Sequence, residues 1–172
     1  MLRERPGTAA GPRRRVAAVL GVSAGALLLS GCGAVDLPLA AVRMGTDGAP
    51  RALIRPCGDD TYRGAALDGR PRSGGKGPAT GGWDTKGEHG GDAAFPLFTP
   101  PADWKARHRG TQRLLPDHRY TLSFHHYVTG DSYNGVVEFT AEDITALKPG
   151  QVWADGRAMS PGEFEKLAED SC

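Results

Sequence analysis

The stretch "RLLPDHRYTLSFHHYV", residues 113–128, decides how the rest of the chain is read. From Tyr120 to Val128 it alternates, with Tyr120, Leu122, Phe124 and His126 on one face and Thr121, Ser123 and His125 on the other. A period of two is that of a strand whose one face lies on a core. Downstream, "TGDSYNG" has the composition of a turn and "VVEFT" supplies a return strand, so an antiparallel hairpin is expected. The domain built around it is expected to be mainly β.

Working toward the amino terminus, the segments divide into short extended pieces. "LPLAAVRM", the turn "TDGAP" and "RALIRPC" read as strand, turn and strand, with Pro56 ending the ladder. A third short strand is expected around Thr61 to Leu67. Residues 69–92 are rich in glycine and poor in apolar side chains, so they are expected to form a long flexible loop, with at most a few residues around Trp83 packed. "AAFPLFTPPADW" follows as irregular extended chain that lays Phe95, Leu97, Phe98 and Trp104 on the core.

The C-terminal part changes character. Thr140 with Asp143 three residues later caps a helical turn or two, which Pro149-Gly150 ends. "QVWA" is a short strand and "DGRAM" a turn and edge. Ser160, Pro161 and Glu163 then occupy the N-cap, first and third helical positions, the sequence of a capping box. The last helix is expected to run to about Asp170 with Phe164 and Leu167 or Ala168 inward, and Cys172 just past its end.

"LLPDHRYTLSF", residues 114–124, resembles the tyrosine corner of fibronectin type III domains. In such sandwiches the tyrosine hydroxyl turns back onto upstream backbone at the start of the penultimate strand, which makes Tyr120 structural by this likeness. The fold expected is therefore a mainly β, antiparallel sandwich of the immunoglobulin or fibronectin type III kind with a C-terminal helix. The alternative is a small α+β domain whose last helix crosses an antiparallel sheet.

The amino terminus carries Arg3, Arg5 and Arg13 to Arg15, then fifteen mostly apolar residues from Val16 to Ser30, the layout of a secretory signal. As a helix that run spans roughly 22 Å, short of the roughly 30 Å hydrocarbon core. It ends in Leu29-Ser30-Gly31-Cys32, which resembles the lipobox of bacterial lipoproteins. The resemblance implies that residues 1–31 are cleaved as a signal peptide, and that Cys32 is diacylated on sulfur with palmitate-like chains and becomes the first mature residue. Residues 32–38 are then the lipidated N-terminus and a short tether, and 39–172 a single globular domain. Cleavage removes five arginines and one glutamate, taking the formal charge from +1 to −3, and a nucleic-acid partner is not expected of such a chain. With Cys32 assigned to the anchor, Cys57 and Cys172 remain as an even pair in an exported chain, and a disulfide between them is expected.

Together with the lipobox, "ALIRPC", "FTAEDITALKPGQVW" and a terminal helix ending in cysteine make the chain similar to small lipoproteins of actinobacteria. That likeness implies a place on the outer face of the cytoplasmic membrane and brings no catalytic residues with it. Nucleophilic hydrolysis lacks its motif in the mature chain, since no G-x-S-x-G elbow occurs in residues 32–172. His125 and His126, adjacent on a strand, point to opposite faces and share a metal poorly. Glu88, His89 and Asp92 have ligand chemistry for zinc or calcium and are the weak metal candidates, without a second cluster at recognised spacing. Lys105, Arg107, His108, Arg109 and Arg113 form a basic run beside Trp104, read first as a solvated loop and second as a surface for anionic headgroups or polymer. The function expected is a non-enzymatic binding or interaction module without cofactor, held to the membrane through Cys32, with an envelope protein or polymer as partner. The alternative is a metal- or small-ligand-binding lipoprotein, a sensor or delivery component.

Overall fold

The computed structural model describes residues 33–74, 77–128 and 132–172. The leader 1–31, Cys32 and residues 129–131 of the expected hairpin turn lie outside the described residues. A seven-stranded sheet runs in the order β1 (Val35–Leu37), β10 (Tyr133–Thr140), β9 (His118–His126), β4 (Thr61–Pro71), β5 (Gly81–Asp84) and β8 (Arg107–Gly110), with β6 (Glu88–Gly90) also on β4. A five-stranded sheet runs β12 (Arg157–Met159), β11 (Val152–Ala154), β2 (Ala40–Met44), β3 (Pro50–Ile54) and β7 (Ala93–Pro96). Among the named strands, every pairing is antiparallel except that of β1 with β10. Two helices, α1 (Ala141–Thr145) and α2 (Pro161–Ser171), follow β10 and β12.

The strand that organises the core is the one the alternation marks. Tyr120, Leu122, Phe124 and His126 of β9 are all buried, and the three apolar side chains meet Ala40, Val42, Ala52 and Ile54 from the opposite sheet in one cluster. The second sheet is covered on both faces, which is why the burial of β2 and β3 is nearly continuous and not alternating. Its far face packs Ala41, Leu53 and Val152 against Phe164 and Leu167 of α2. Both helices begin as their sequences require. Thr140 and Ser160 each accept from the backbone N–H three residues on, and the side chains of Asp143 and Glu163 return to the cap N–H groups.

Tyr120 makes both bonds of its corner. Its hydroxyl donates to the Arg113 carbonyl at 3.0 Å and accepts from the Leu115 N–H at 2.8 Å. The ring fixes the strand to the core while the hydroxyl fixes the incoming loop to the strand. At the other end of the chain, Cys57 and Cys172 lie with their sulfurs 2.08 Å apart and their Cα atoms 5.5 Å apart, the geometry of a disulfide across 115 positions. Beside it the Arg55 guanidinium Nε reaches both Glu165 oxygens, at 3.0 and 2.8 Å, so α2 is held to the end of β3 twice.

Three expectations need correction. The stretch 69–92 is not one open loop: it completes an eleven-residue β4 and contributes β5 and β6. Its glycines serve close approach rather than freedom. A Cβ at Gly69 would stand 2.6 Å from the Tyr120 ring, and one at Gly82, whose φ is +114°, would overlap the Leu67 carbonyl oxygen. Next to Gly82, Trp83 is fully buried and donates its indole N–H to the Leu97 carbonyl at 2.7 Å. The second correction is the tether: Val35–Leu37 are strand, and the compact unit begins at Gly33 instead of residue 39. The third is the basic run, of which Arg107–Gly110 is the edge strand β8.

Replacing Tyr120→Phe keeps the ring and removes both corner bonds. Urea unfolding is expected to lose about 1–3 kcal/mol of stability with an unchanged slope. The paired change Cys57→Ser with Cys172→Ser frees the C-terminal helix from a closure of 115 residues, and by the loop-entropy relation it is expected to cost roughly 4–5 kcal/mol. Unfolding of the oxidised parent alongside the variant reads this difference.

Candidate functional site

Two features that stand apart in the sequence, the Glu88-His89 pair and the Trp104-basic run, are neighbours in space. They line a cleft of about 510 Å³ whose walls include Lys86, Glu88, His89, Asp103, Trp104 and Lys105. The floor is aromatic. Trp104 sits in a short 3-10 turn, Ala102–Trp104, and meets Tyr62, Trp83 and Phe95 edge-on with ring centroids 6.1, 6.5 and 5.1 Å away. The His89 ring lies flat on Trp104, centroids 4.2 Å apart and planes 22° from parallel. Lys105 ends the turn with φ +49°, a left-handed conformation uncommon for a side-chain-bearing residue.

The electrostatics separate groups already satisfied from groups left open. Asp84 accepts from Arg107 at 3.1–3.3 Å and from Arg109 at 3.1 Å, and Arg109 also pairs with Asp68. Glu88 is held by Arg63 at 2.6 Å, a contact that, with the Thr61 hydroxyl, keeps its carboxyl below the usual range. Lys86 and Lys105 have no ion-pair partner among the described residues. His89 Nε2 and the Tyr62 hydroxyl are buried and without hydrogen-bond partners. Burial favours the neutral imidazole and lowers the His89 pKa, against the opposing pull of Asp103. Burial, with the Asp92 charge adding to it, pushes the Tyr62 hydroxyl up to about 12.

This arrangement suits recognition by stacking and charge.

The structure does not gather the weak metal candidates. Glu88 is paired with Arg63, Asp92 lies 3.3 Å from Arg55, and His89 is stacked on Trp104. Among the described residues no group of three or more His, Cys, Asp or Glu side chains is placed to hold a metal ion.

His125 and His126 do face opposite ways: His125 meets the Asn134 side-chain oxygen at 2.7 Å, while His126 is buried, with Nδ1 2.6 Å from the Thr61 carbonyl. His126 also stacks on Tyr133, whose hydroxyl donates to Asp60 at 3.1 Å and accepts from the Cys57 N–H at 2.9 Å. By composition Tyr133 belongs to the turn "TGDSYNG", yet it opens β10. The signal that it belongs to a strand is its alternation with Gly135, Val137 and Phe139, all inward residues of β10. Tyr62 is equally absent from the sequence-level candidates, because nothing local to it announces the stack of His89 and Trp104.

Comparison of the chain with protein-family models, with curated proteins and with solved structures returns no match.

The His89 environment carries a pH prediction. Its folded pKa is lowered, so the unfolded chain binds the proton more readily. Stability contributed by the neutral ring is therefore present above the ordinary histidine value of about 6.5 and is lost as pH falls through it. The His89 ring protons are expected to titrate with a midpoint below that of a model histidine by NMR. In His89→Gln the loss of stability on acidification from neutral pH is expected to be smaller than in the parent.

Proposed function

We propose that this chain is a membrane-anchored cell-envelope lipoprotein of actinobacterial type, whose β domain is a non-enzymatic binding module on the outer face of the cytoplasmic membrane. The observation that carries the reading is the order Leu29-Ser30-Gly31-Cys32 after a basic and apolar leader, with a compact unit beginning at the next residue, Gly33. Little chain separates the attachment point from the first strand, so the domain works close to the bilayer. Among the described residues no helix is long and apolar enough to cross a membrane, and the acyl group supplies the hold.

Within this reading the sandwich is of the immunoglobulin or fibronectin type III kind. Two features support that assignment. β4, β9 and β10 are adjacent in the order expected of strands C, F and G, and β2, β3 and β7 in that of A, B and E. Tyr120 stands near the start of β9 with its hydroxyl turned onto upstream backbone, as a corner tyrosine on strand F does. Sandwiches of this kind serve widely as interaction modules, an analogy from fold, and the polar cleft over Trp104 is the face on which a small or polymeric ligand finds stacking and unpaired cationic groups.

Expression in an actinobacterial host tests the anchor. The parent protein is expected in the membrane fraction, with mass spectrometry showing a mature chain that starts at acylated Cys32. Cys32→Ser is expected to leave the membrane fraction; a Cys32→Ser chain that stays there, or a parent chain with an unmodified Cys32, overturns the reading.

A further inference from the structure

We infer that the end of the seven-stranded sheet formed by Val35, Tyr127 and Val128 is seated in the interfacial layer of the lipid bilayer. The inference rests on the lipid attachment at Cys32 and goes further, assigning which end of the domain meets the membrane and by what chemistry. Among the described residues the exposed large apolar side chains are Val35, Tyr127 and Val128, at 55, 60 and 52 % exposure. Single exposed apolar residues scattered over a surface need no explanation. These three are not scattered.

The strand register brings their backbones to one end of the sheet, with Val35 on the face of Tyr133 and His126 and Tyr127 on the face of His125. Val35, the first residue of β1, pairs with Tyr133, the first of β10, and Tyr133 pairs with His126, the last of β9. Tyr127 and Val128 follow directly, and the Tyr127 ring stacks on His125 with centroids 5.7 Å apart. At a strand spacing of about 4.8 Å, Val35 and His126 stand roughly 10 Å apart along one rung. The same rung is where the chain leaves for its anchor. Cys32 precedes Val35 by three residues, and three fully extended residues reach at most about 10 Å. An acyl-bearing Cys32 therefore holds this end of the sheet at the membrane, and no other end of the domain is tied so closely.

The chemistry of the patch selects the contact. Tyrosine is a side chain of the membrane–water interface, with an apolar ring and a polar tip, and the valines add apolar area beside it. The charged neighbours at this end, among the described residues, are of both signs, Asp36 on β1 and Arg63 on β4, the latter opposite His125 and already paired with Glu88, so no unpaired cation supplies attraction to anionic headgroups. Insertion is apolar and indifferent to salt. The Lys105 to Arg113 run, the sequence-level candidate for headgroups, has Arg107 and Arg109 already committed to Asp84 and Asp68.

The test is made so that it does not depend on acylation in a cell. The mature chain from Cys32, whose compact unit Gly33–Cys172 carries its own core, has Cys57 and Cys172 bonded to each other, leaving Cys32 as its free thiol. That thiol is coupled either to a maleimide phospholipid in phosphatidylcholine vesicles or to a soluble maleimide. Hydrogen exchange by mass spectrometry is compared between the two forms. Peptides covering residues 33–37 and 124–128 are expected to slow by roughly tenfold on vesicles, at low and at high salt alike. The double change Tyr127→Ser with Val128→Ser, at exposed positions, is expected to abolish the slowing while leaving the thermal midpoint unchanged. Equal exchange in both coupled forms overturns the inference, as does protection that appears at residues 105–113 or vanishes with salt. None of those outcomes bears on whether Cys32 is acylated in the cell, which the fractionation above decides.

Discussion

Burial of one face of β9 is the constraint from which the remaining structure follows. Tyr120, Leu122, Phe124 and His126 cannot be removed from water by a hairpin alone, so the strand takes β10 on one side and β4 on the other and presents the combined face to a second sheet. Register then leaves no freedom, because a slip of one residue would expose all four. The polar atoms on this face have partners in other segments: the Tyr120 hydroxyl bonds the incoming loop, and His126 Nδ1 meets the Thr61 carbonyl at the start of β4. Each bond fixes where a neighbouring segment enters the sheet.

The second sheet faces a different problem, being covered twice. Its inner face meets β9 and its neighbours, and its outer face needs α2, a helix with only Phe164 and Ala168 buried and Leu167 half-buried. So small an apolar surface holds a terminal helix weakly against its tendency to fray. The disulfide to Cys57 and the two-oxygen bond of Arg55 to Glu165 supply the missing hold, the first by restricting the unfolded chain and the second by direct attraction.

Much of the fold is legible in the order of residues alone. Alternation marks Tyr120 to His126, the caps at Thr140 and Ser160 mark both helices, and the corner motif marks the role of Tyr120. The glycine-rich stretch is not legible, because glycine carries no pattern: Gly69 and Gly82 are required where the Tyr120 ring and the Leu67 carbonyl leave no room for a Cβ, and those neighbours are distant or on another strand. For the candidate site the residues are visible and their relations are not. His89 and Trp104 each stand out by type, yet only pairing of β6 with β4 and the turn at Ala102–Trp104 lays one ring on the other. Tyr62, which packs against both, is silent in the sequence.

The sequence by itself determined local form and the expectation of an exported, anchored chain: a charged and apolar leader ending in Leu29-Ser30-Gly31-Cys32, strands where side chains alternate, helices where caps and proline stand in order. These are properties of contiguous residues, written at the periods of 2 and 3.6 that strands and helices impose. Tertiary structure alone decided which distant pieces became neighbours. It turned a glycine-rich stretch into three pieces of sheet, paired the basic run with Asp84 and Asp68, and set Val35 on one rung with His126. The physical reason is that hydrogen-bond register between strands far apart in the chain is selected by burial of the whole face, a quantity no short window of sequence contains.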